Sequence, residues 1–98
     1  MEKEKWKEWI TRNLIADELL NLGPCFVKHI SLIADDAQSA SVLIYNGHDT
    51  SGDIFFSILV SKYKDFSDDF AIPVYFNKGL YVDIGEYVAS FIIQYKPI

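Results

Sequence analysis

The stretch YNGHDTSGD holds the densest group of residues that could do chemistry. Asp49, Ser51 and Asp53 stand at positions 1, 3 and 5 of a calcium loop of the EF-hand type, where side-chain oxygens are the expected ligands. The pattern then fails, because position 6 is Ile54 instead of glycine and position 12 is Val60 instead of a bidentate glutamate. We therefore interpret the stretch as a solvated turn.

Zinc binding and nucleophilic catalysis have few candidate residues. Zinc needs three or four ligands at matched spacing, whereas the chain offers His29, His48 and Cys25 without a CxxC, HExxH or HxH pattern. Cys25 lies in the apolar context GPCFV, which favours a buried thiol over a reactive one. No serine stands in a GxSxG elbow. Asp49 is the direct sequence neighbour of His48, whereas the aspartate of a catalytic triad orients the histidine ring by a hydrogen bond. We expect no enzymatic activity, no cofactor and no metal.

Length and composition favour one small domain that works with partners. Half of the 98 residues are hydrophobic and 15% are aromatic, and a domain of this size removes only roughly 60% of its unfolded surface from water. We therefore expect a homo-oligomer, with a trimer as one candidate state, whose apolar surface is completed by a partner. A net charge of −5 without a basic stripe argues against nucleic acid and anionic membranes. The start of the chain lacks a signal-peptide core, so we expect a soluble product.

Residues 1–23 are predicted to form an N-terminal α-helical segment. They are rich in helix-forming residues and end in NLGP, a strong signal for the end of a helix. Trp6, Trp9 and Ile10 fall in one stripe of this helix, so we predict that they form a partner-binding face. Polar residues interrupt the stripe further along, and other apolar residues lie opposite it.

Residues 24–98 are predicted to form an antiparallel β domain, either a six-stranded sandwich or a jelly-roll-like fold. Pro73 cannot donate a ladder hydrogen bond, so its run is either an edge strand or broken at the proline. The run IFFSILV is apolar on both faces, as expected for a strand covered on both sides. The alternation in LYVDI predicts a half-buried strand. The six predicted strands are Phe26–Ile33, Ser41–Tyr45, Ile54–Tyr63, Phe70–Phe76, Leu80–Ile84 and Val88–Tyr95.

Tyrosines provide a second candidate interaction surface. We expect Tyr45, Tyr81 and Tyr87 near the surface, where aromatic rings stack on sugars or anchor protein partners. The alternative is that these tyrosines simply suit half-buried positions in a pleated sheet. We predict Tyr45 and Tyr81 as interface residues beside the tryptophan face.

From Ala40 to Pro97 the chain runs as an aliphatic strand ending in YNG, then DTSG, a second apolar strand, IPVYF, GLYVD and a last strand ending in QYKP. This pattern resembles that of small virion structural proteins of tailed bacteriophages. It implies a non-enzymatic capsid decoration or cement protein, or a neck or tail accessory part, that binds itself and the major capsid protein. Such a protein would be made in the host cytoplasm and reside in the virion. The alternative is a carbohydrate- or receptor-binding β module of a tail or fibre.

Overall fold

The computed structural model describes residues 9–35, 38–62 and 64–98 and folds them into two four-stranded antiparallel β-sheets. Sheet A has the strand order β1-β8-β3-β6, and sheet B has the order β2-β7-β4-β5. The part of the chain that is described contains no helix long and apolar enough to cross a membrane. The strands are β1 (Ile10–Leu14), β2 (Glu18–Asn21), β3 (Cys25–Ala34), β4 (Ala40–Asn46), β5 (Asp53–Val60), β6 (Asp65–Phe76), β7 (Leu80–Ile84) and β8 (Val88–Pro97).

The strand pairing follows a simple rule that defines the topology. β1 pairs with β8, β2 with β7, β3 with β6 and β4 with β5, as in one long hairpin of four paired segments. The hairpin is then wound so that β8 also pairs with β3 and β7 also pairs with β4. Eight antiparallel strands wound into two sheets in this way form a jelly roll.

The core lies between the two sheets. In β3 the inward positions include Val27, Ile30 and Leu32, which are at most 1% exposed, and a bulge after Val27 shifts the alternation by one residue. In sheet B the inward side chains of Ile44 and Val82 lie in register on neighbouring strands and are fully buried. Alternating residues from both sheets therefore form one continuous hydrophobic cluster.

The prediction of an N-terminal helix within residues 1–23 is wrong. The described part of this segment forms β1 and β2, which pair with β8 and β7, so the domain has eight strands instead of six. Each of the two strands completes one sheet, and those hydrogen bonds override a helix propensity that is weak per residue. The boundary between residues 23 and 24 therefore does not separate a helical from a β unit. Trp6 lies outside the described residues.

The β architecture predicted for the rest of the chain is confirmed as a two-layer sandwich, with corrections at two strands. β6 begins at Asp65 instead of the predicted Phe70, because the acidic residues before Phe70 continue the strand. β6 is an edge strand containing Pro73, as predicted. The prediction that β5 is covered on both faces is wrong, since Leu59 is 76% exposed and Ile54 is 54% exposed.

Candidate functional site

An apolar gap between the two sheets opens along one side of the sandwich. β5 and β6 are the edge strands of sheets B and A on this side, and we call the gap between them the open seam. A groove of about 270 Å³ runs along the seam and reaches the core residues Ile30 and Ile58. The other residues that line the groove are Phe56, Ser57, Leu59, Phe66, Asp68 and Phe70. The groove is thus largely apolar, with one carboxylate at its rim.

The exposed apolar residues concentrate on the two strands of the open seam. Isolated surface hydrophobic residues are normal, whereas a contiguous patch is typical of an interaction site. On β5 and β6, Ile54, Phe55, Leu59, Phe66, Ile72 and Tyr75 are each between 37% and 83% exposed. Leu59 and Phe66 line the groove, whereas Ile54 lies on the outer face of sheet B and Tyr75 on the outer face of sheet A. Two adjacent edge strands therefore present an apolar surface to water.

The opposite side of the sandwich is closed by polar contacts. Arg12 Nη2 of β1 donates to Glu18 Oε1 of β2 at 2.8 Å, and this ion pair raises the pKa of the Arg12 guanidinium. The hydroxyl of Tyr95 donates to the backbone carbonyl of Leu20 at 3.3 Å, again joining the two sheets. Burial raises the pKa of Tyr95, so the phenol stays protonated in this contact. Polar contacts thus join the two sheets on this side, whereas an apolar groove separates the edge strands on the β5/β6 side.

The predicted interface residues Tyr45 and Tyr81 lie together on the outer face of sheet B. Their ring centroids are 6.0 Å apart, and they pair across β4 and β7. Leu19 extends the row on β2 and Ile54 extends it on β5. Tyr45 is only 6% exposed, which corrects the expectation that it lies near the surface, while Tyr81 is half-buried. Partial burial and the nearby carboxylate of Asp17 raise the pKa of Tyr81.

Trp9 and Ile10 lie on sheet A, away from the two tyrosines. Trp9 precedes β1, and its ring lies 4.6 Å from Nζ of Lys28 and 5.4 Å from Nζ of Lys96. Ile10 instead packs against the core and pairs with Tyr95. The structure therefore does not bring the predicted interface residues onto one surface.

A small aromatic platform accompanies Trp9 on the outer face of sheet A. Phe26 and Tyr75 pair across β3 and β6 with 5.3 Å between their ring centroids, and Tyr75 is 49% exposed. Lys96 lies 5.8 Å from the Phe26 ring, close enough for a cation–π contact. Sequence reasoning missed this platform, because the residues that form it are distant along the chain.

The loop between β4 and β5 is held by contacts with neighbouring loops. Asn46, 3% exposed, donates to Asn77 Oδ1 at 2.7 Å and accepts from the backbone N–H of Lys78 at 2.9 Å. His48 Nε2 donates to the carbonyl of Leu22 at 2.6 Å. Asp49 accepts hydrogen bonds from the backbone and hydroxyl of Ser51, which lower its pKa. The histidine and carboxylate thus have structural partners.

Neither metal-ligand clustering nor an exposed thiol appears in the part of the chain that is described. No group of three or more histidine, cysteine or acidic side chains within 9–35, 38–62 and 64–98 is placed to hold a metal ion. Cys25 is fully buried, as predicted, and burial raises the pKa of its thiol to about 11. His29 lies in β3, with Nδ1 2.5 Å from Asp69 Oδ1 on the neighbouring strand, so this histidine has a structural partner.

The topology and the exposed surface place the chain in the class of jelly-roll β-sandwiches with an open apolar seam. No family model, no curated protein and no solved structure shows significant similarity to it. Because a fold of this kind serves many unrelated functions, the surface features have to support any functional assignment.

Proposed function

We propose that the protein is a non-enzymatic structural protein of a tailed-bacteriophage virion. In this proposal it decorates or cements the capsid by binding the major capsid protein and further copies of itself. The observation that carries the proposal is the open seam, where Leu59 and Phe66 expose apolar surface beside a groove that reaches the core. Two further observations support a location in the virion. The region Ala40–Pro97 resembles small virion proteins, and viral capsids use jelly rolls.

The energetics of the open seam favour a protein partner. Each Å² of apolar surface removed from water contributes about 25 cal/mol, and association has to exceed a cost of roughly 4–15 kcal/mol. A partner strand or loop that fills the groove would cover Phe56 and Phe70 together with Leu59, in addition to pairing with the edge. Burial at the open seam would therefore provide most of the affinity, while the acidic surface keeps the free protein soluble.

Quantitative mass spectrometry of purified virions tests this function. We expect the chain to be present in many copies per particle, in a fixed ratio to the major capsid protein. The variant Leu59→Lys should be incorporated poorly, because it places a charge at the centre of the apolar surface. Ile15→Lys is a matched control, since Ile15 is also 76% exposed but lies in the loop between β1 and β2. Absence of the wild-type chain from virions would exclude the proposal.

A carbohydrate- or receptor-binding module is the second candidate function. The aromatic platform of Phe26 and Tyr75 favours it, because exposed rings stack on sugar faces and the nearby lysines can donate hydrogen bonds. A glycan array probed with the wild-type protein and with Tyr75→Ala tests this alternative. Binding that Tyr75→Ala removes would support it, whereas an array without signal would count against it.

A further inference from the structure

The two edge strands of the open seam differ in how they are protected against pairing with another strand. β6 carries Asp65, Asp68 and Asp69 and contains Pro73, all of which are devices that block edge-to-edge pairing. In β5 no charged residue and no proline occurs from Ile54 to the end of the strand. Of the two edge strands of the open seam, β5 is therefore the less protected.

We propose that β5 pairs antiparallel with β5 of a second copy, around a two-fold axis that passes through Ser57. The two copies of sheet B would then form one continuous eight-stranded sheet. This inference rests on the self-association in the proposed function, and it names the strand, the register and the symmetry. An isologous pair of this kind closes on itself as a dimer instead of the trimer that the sequence suggested as a possibility.

The register follows from the requirement that opposite residues share a face of the sheet. A two-fold axis at Ser57 places Phe56 opposite Ile58 of the second copy, and both side chains point toward the core. The same axis places Phe55 opposite Leu59, so two apolar residues pair there, although the Phe55 ring turns toward Phe76 of β6 with 4.7 Å between the ring centroids. Ser57 lies opposite Ser57 of the second copy, where two small side chains fit without a clash. β5 is therefore complementary to itself.

Charge favours β5 over β6 for this contact. Each copy carries a net charge of −5, so an interface between copies has to avoid opposing carboxylates. Antiparallel self-pairing of β6 around its acidic half would place Asp68 and Asp69 opposite the same carboxylates of the second copy. Self-pairing of β5 around Ser57 brings only uncharged residues together. The paired residues of the two β5 strands are thus uncharged, and a carboxylate of each copy, Asp68, lies at the rim of the groove.

A stable dimer requires a larger contact area than β5 alone provides. A stable dimer buries about 800 Å² on each partner, which is roughly an eighth of the 5973 Å² surface of this chain. The eight residues of β5 cover only part of that area. The groove lies directly beside the strand, so the second copy would also cover its rim at Phe66 and Phe70. Dimerisation would in this way bury the open seam.

A charge-swap experiment tests the proposed axis. Ser57 is exposed, so Ser57→Lys and Ser57→Glu should leave the monomer folded while placing like charges opposite each other in a homodimer. We expect the wild-type mass, measured by light scattering, to rise from 11.2 kDa to twice that value between about 1 μM and about 1 mM. Each variant alone should dimerise at least roughly tenfold more weakly, and an equimolar mixture should restore the dimer.

Ser67→Lys and Ser67→Glu on β6 are the matched controls, because Ser67 is an exposed serine on the other edge strand. They should dimerise as the wild type does. A wild-type chain that stays monomeric, a trimer mass, or equal weakening by the Ser67 variants would overturn the proposal. So would a mixture of the Ser57 variants that fails to restore the dimer. The presence of the wild-type chain in virions is measured independently of these masses, so a wrong axis and a wrong function can be told apart.

Discussion

Phe56 of β5 and Phe70 of β6 stack across the open seam, with 5.2 Å between their ring centroids and 23° between their ring planes. The two strands belong to different sheets, so this contact joins the layers at the side where they are otherwise open. On the opposite side, the ion pair between Arg12 and Glu18 makes the equivalent connection. The domain therefore joins its two sheets by an ion pair on one side and by aromatic rings on the other.

A double-mutant cycle on Phe56 and Phe70 measures this contact. Replacement of each residue by leucine, singly and together, should give a coupling free energy of about 0.5–1.5 kcal/mol in urea unfolding, the range typical of aromatic pairs. A pair that shares no contact, such as Phe70 with Tyr81, should give a coupling near zero. A coupling near zero for Phe56 and Phe70 would show that the rings do not hold the seam.

Asn46→Ala should destabilise the domain by about 1–3 kcal/mol. The substitution removes the acceptor for the backbone N–H of Lys78 and the donor to Asn77, leaving partly buried polar groups without partners. Asn13→Ala is the control, because Asn13 is exposed and accepts one long hydrogen bond, 3.2 Å from Ser90 Oγ. Urea unfolding should show a change within about 0.5 kcal/mol for the control. Equal effects of the two variants would argue against a role for Asn46 in joining the loops.

Gly52→Ala should also be destabilising, by about 1–3 kcal/mol. A Cβ at Gly52 would lie 2.8 Å from the backbone oxygen of Asn46 and 3.0 Å from Cα of Gly47, so the turn would have to open. Gly23→Ala meets nothing within 4 Å and should leave the melting temperature nearly unchanged. A Gly52→Ala protein as stable as the wild type would mean that the loop is not closely packed.

The buried thiol of Cys25 predicts a loss of stability at alkaline pH. Burial raises the pKa of this thiol from 9.0 to about 11, so above about pH 9 the unfolded chain releases the proton while the folded chain retains it. The contribution of the buried thiol to the free energy of unfolding is fully present below about pH 9, and it decreases as the pH rises toward 11. Unfolding curves for the wild type should show this component, and curves for Cys25→Ala should lack it. The same slope in both proteins would contradict the assignment.

The strands after residue 24 were largely predictable because their signals are local. LYVDI alternates and forms β7 exactly as predicted, from Leu80 to Ile84. β6 was predicted too short, because Asp65 to Asp69 have the composition of a turn although they occupy a solvent-facing edge. At an edge the carboxylates remain hydrated and prevent pairing, so charge is compatible with a strand there.

The N-terminal strands were not predictable from their own residues. β1 and β2 contain good helix formers, and they become strands because β8 and β7 offer free edges that arrive more than 60 residues later in the chain. The irregular apolar stripe, broken at Asn13 and Asp17, was the one signal against a helix. The prediction of a partner-binding face that includes Trp9 and Ile10 depended on the same helix, because adjacent residues of a strand point to opposite faces. The open seam likewise depends on which strands become edges, and strand order is a property of the whole fold.

A density map of the virion tests the central claim most directly. The proposed function predicts density for this domain on the particle, with the open seam facing a neighbouring protein and Leu59 buried in that contact. A map in which the domain is bound but Leu59 and Phe66 face solvent would contradict the seam as the contact surface. A particle without density for this domain would contradict the virion assignment itself.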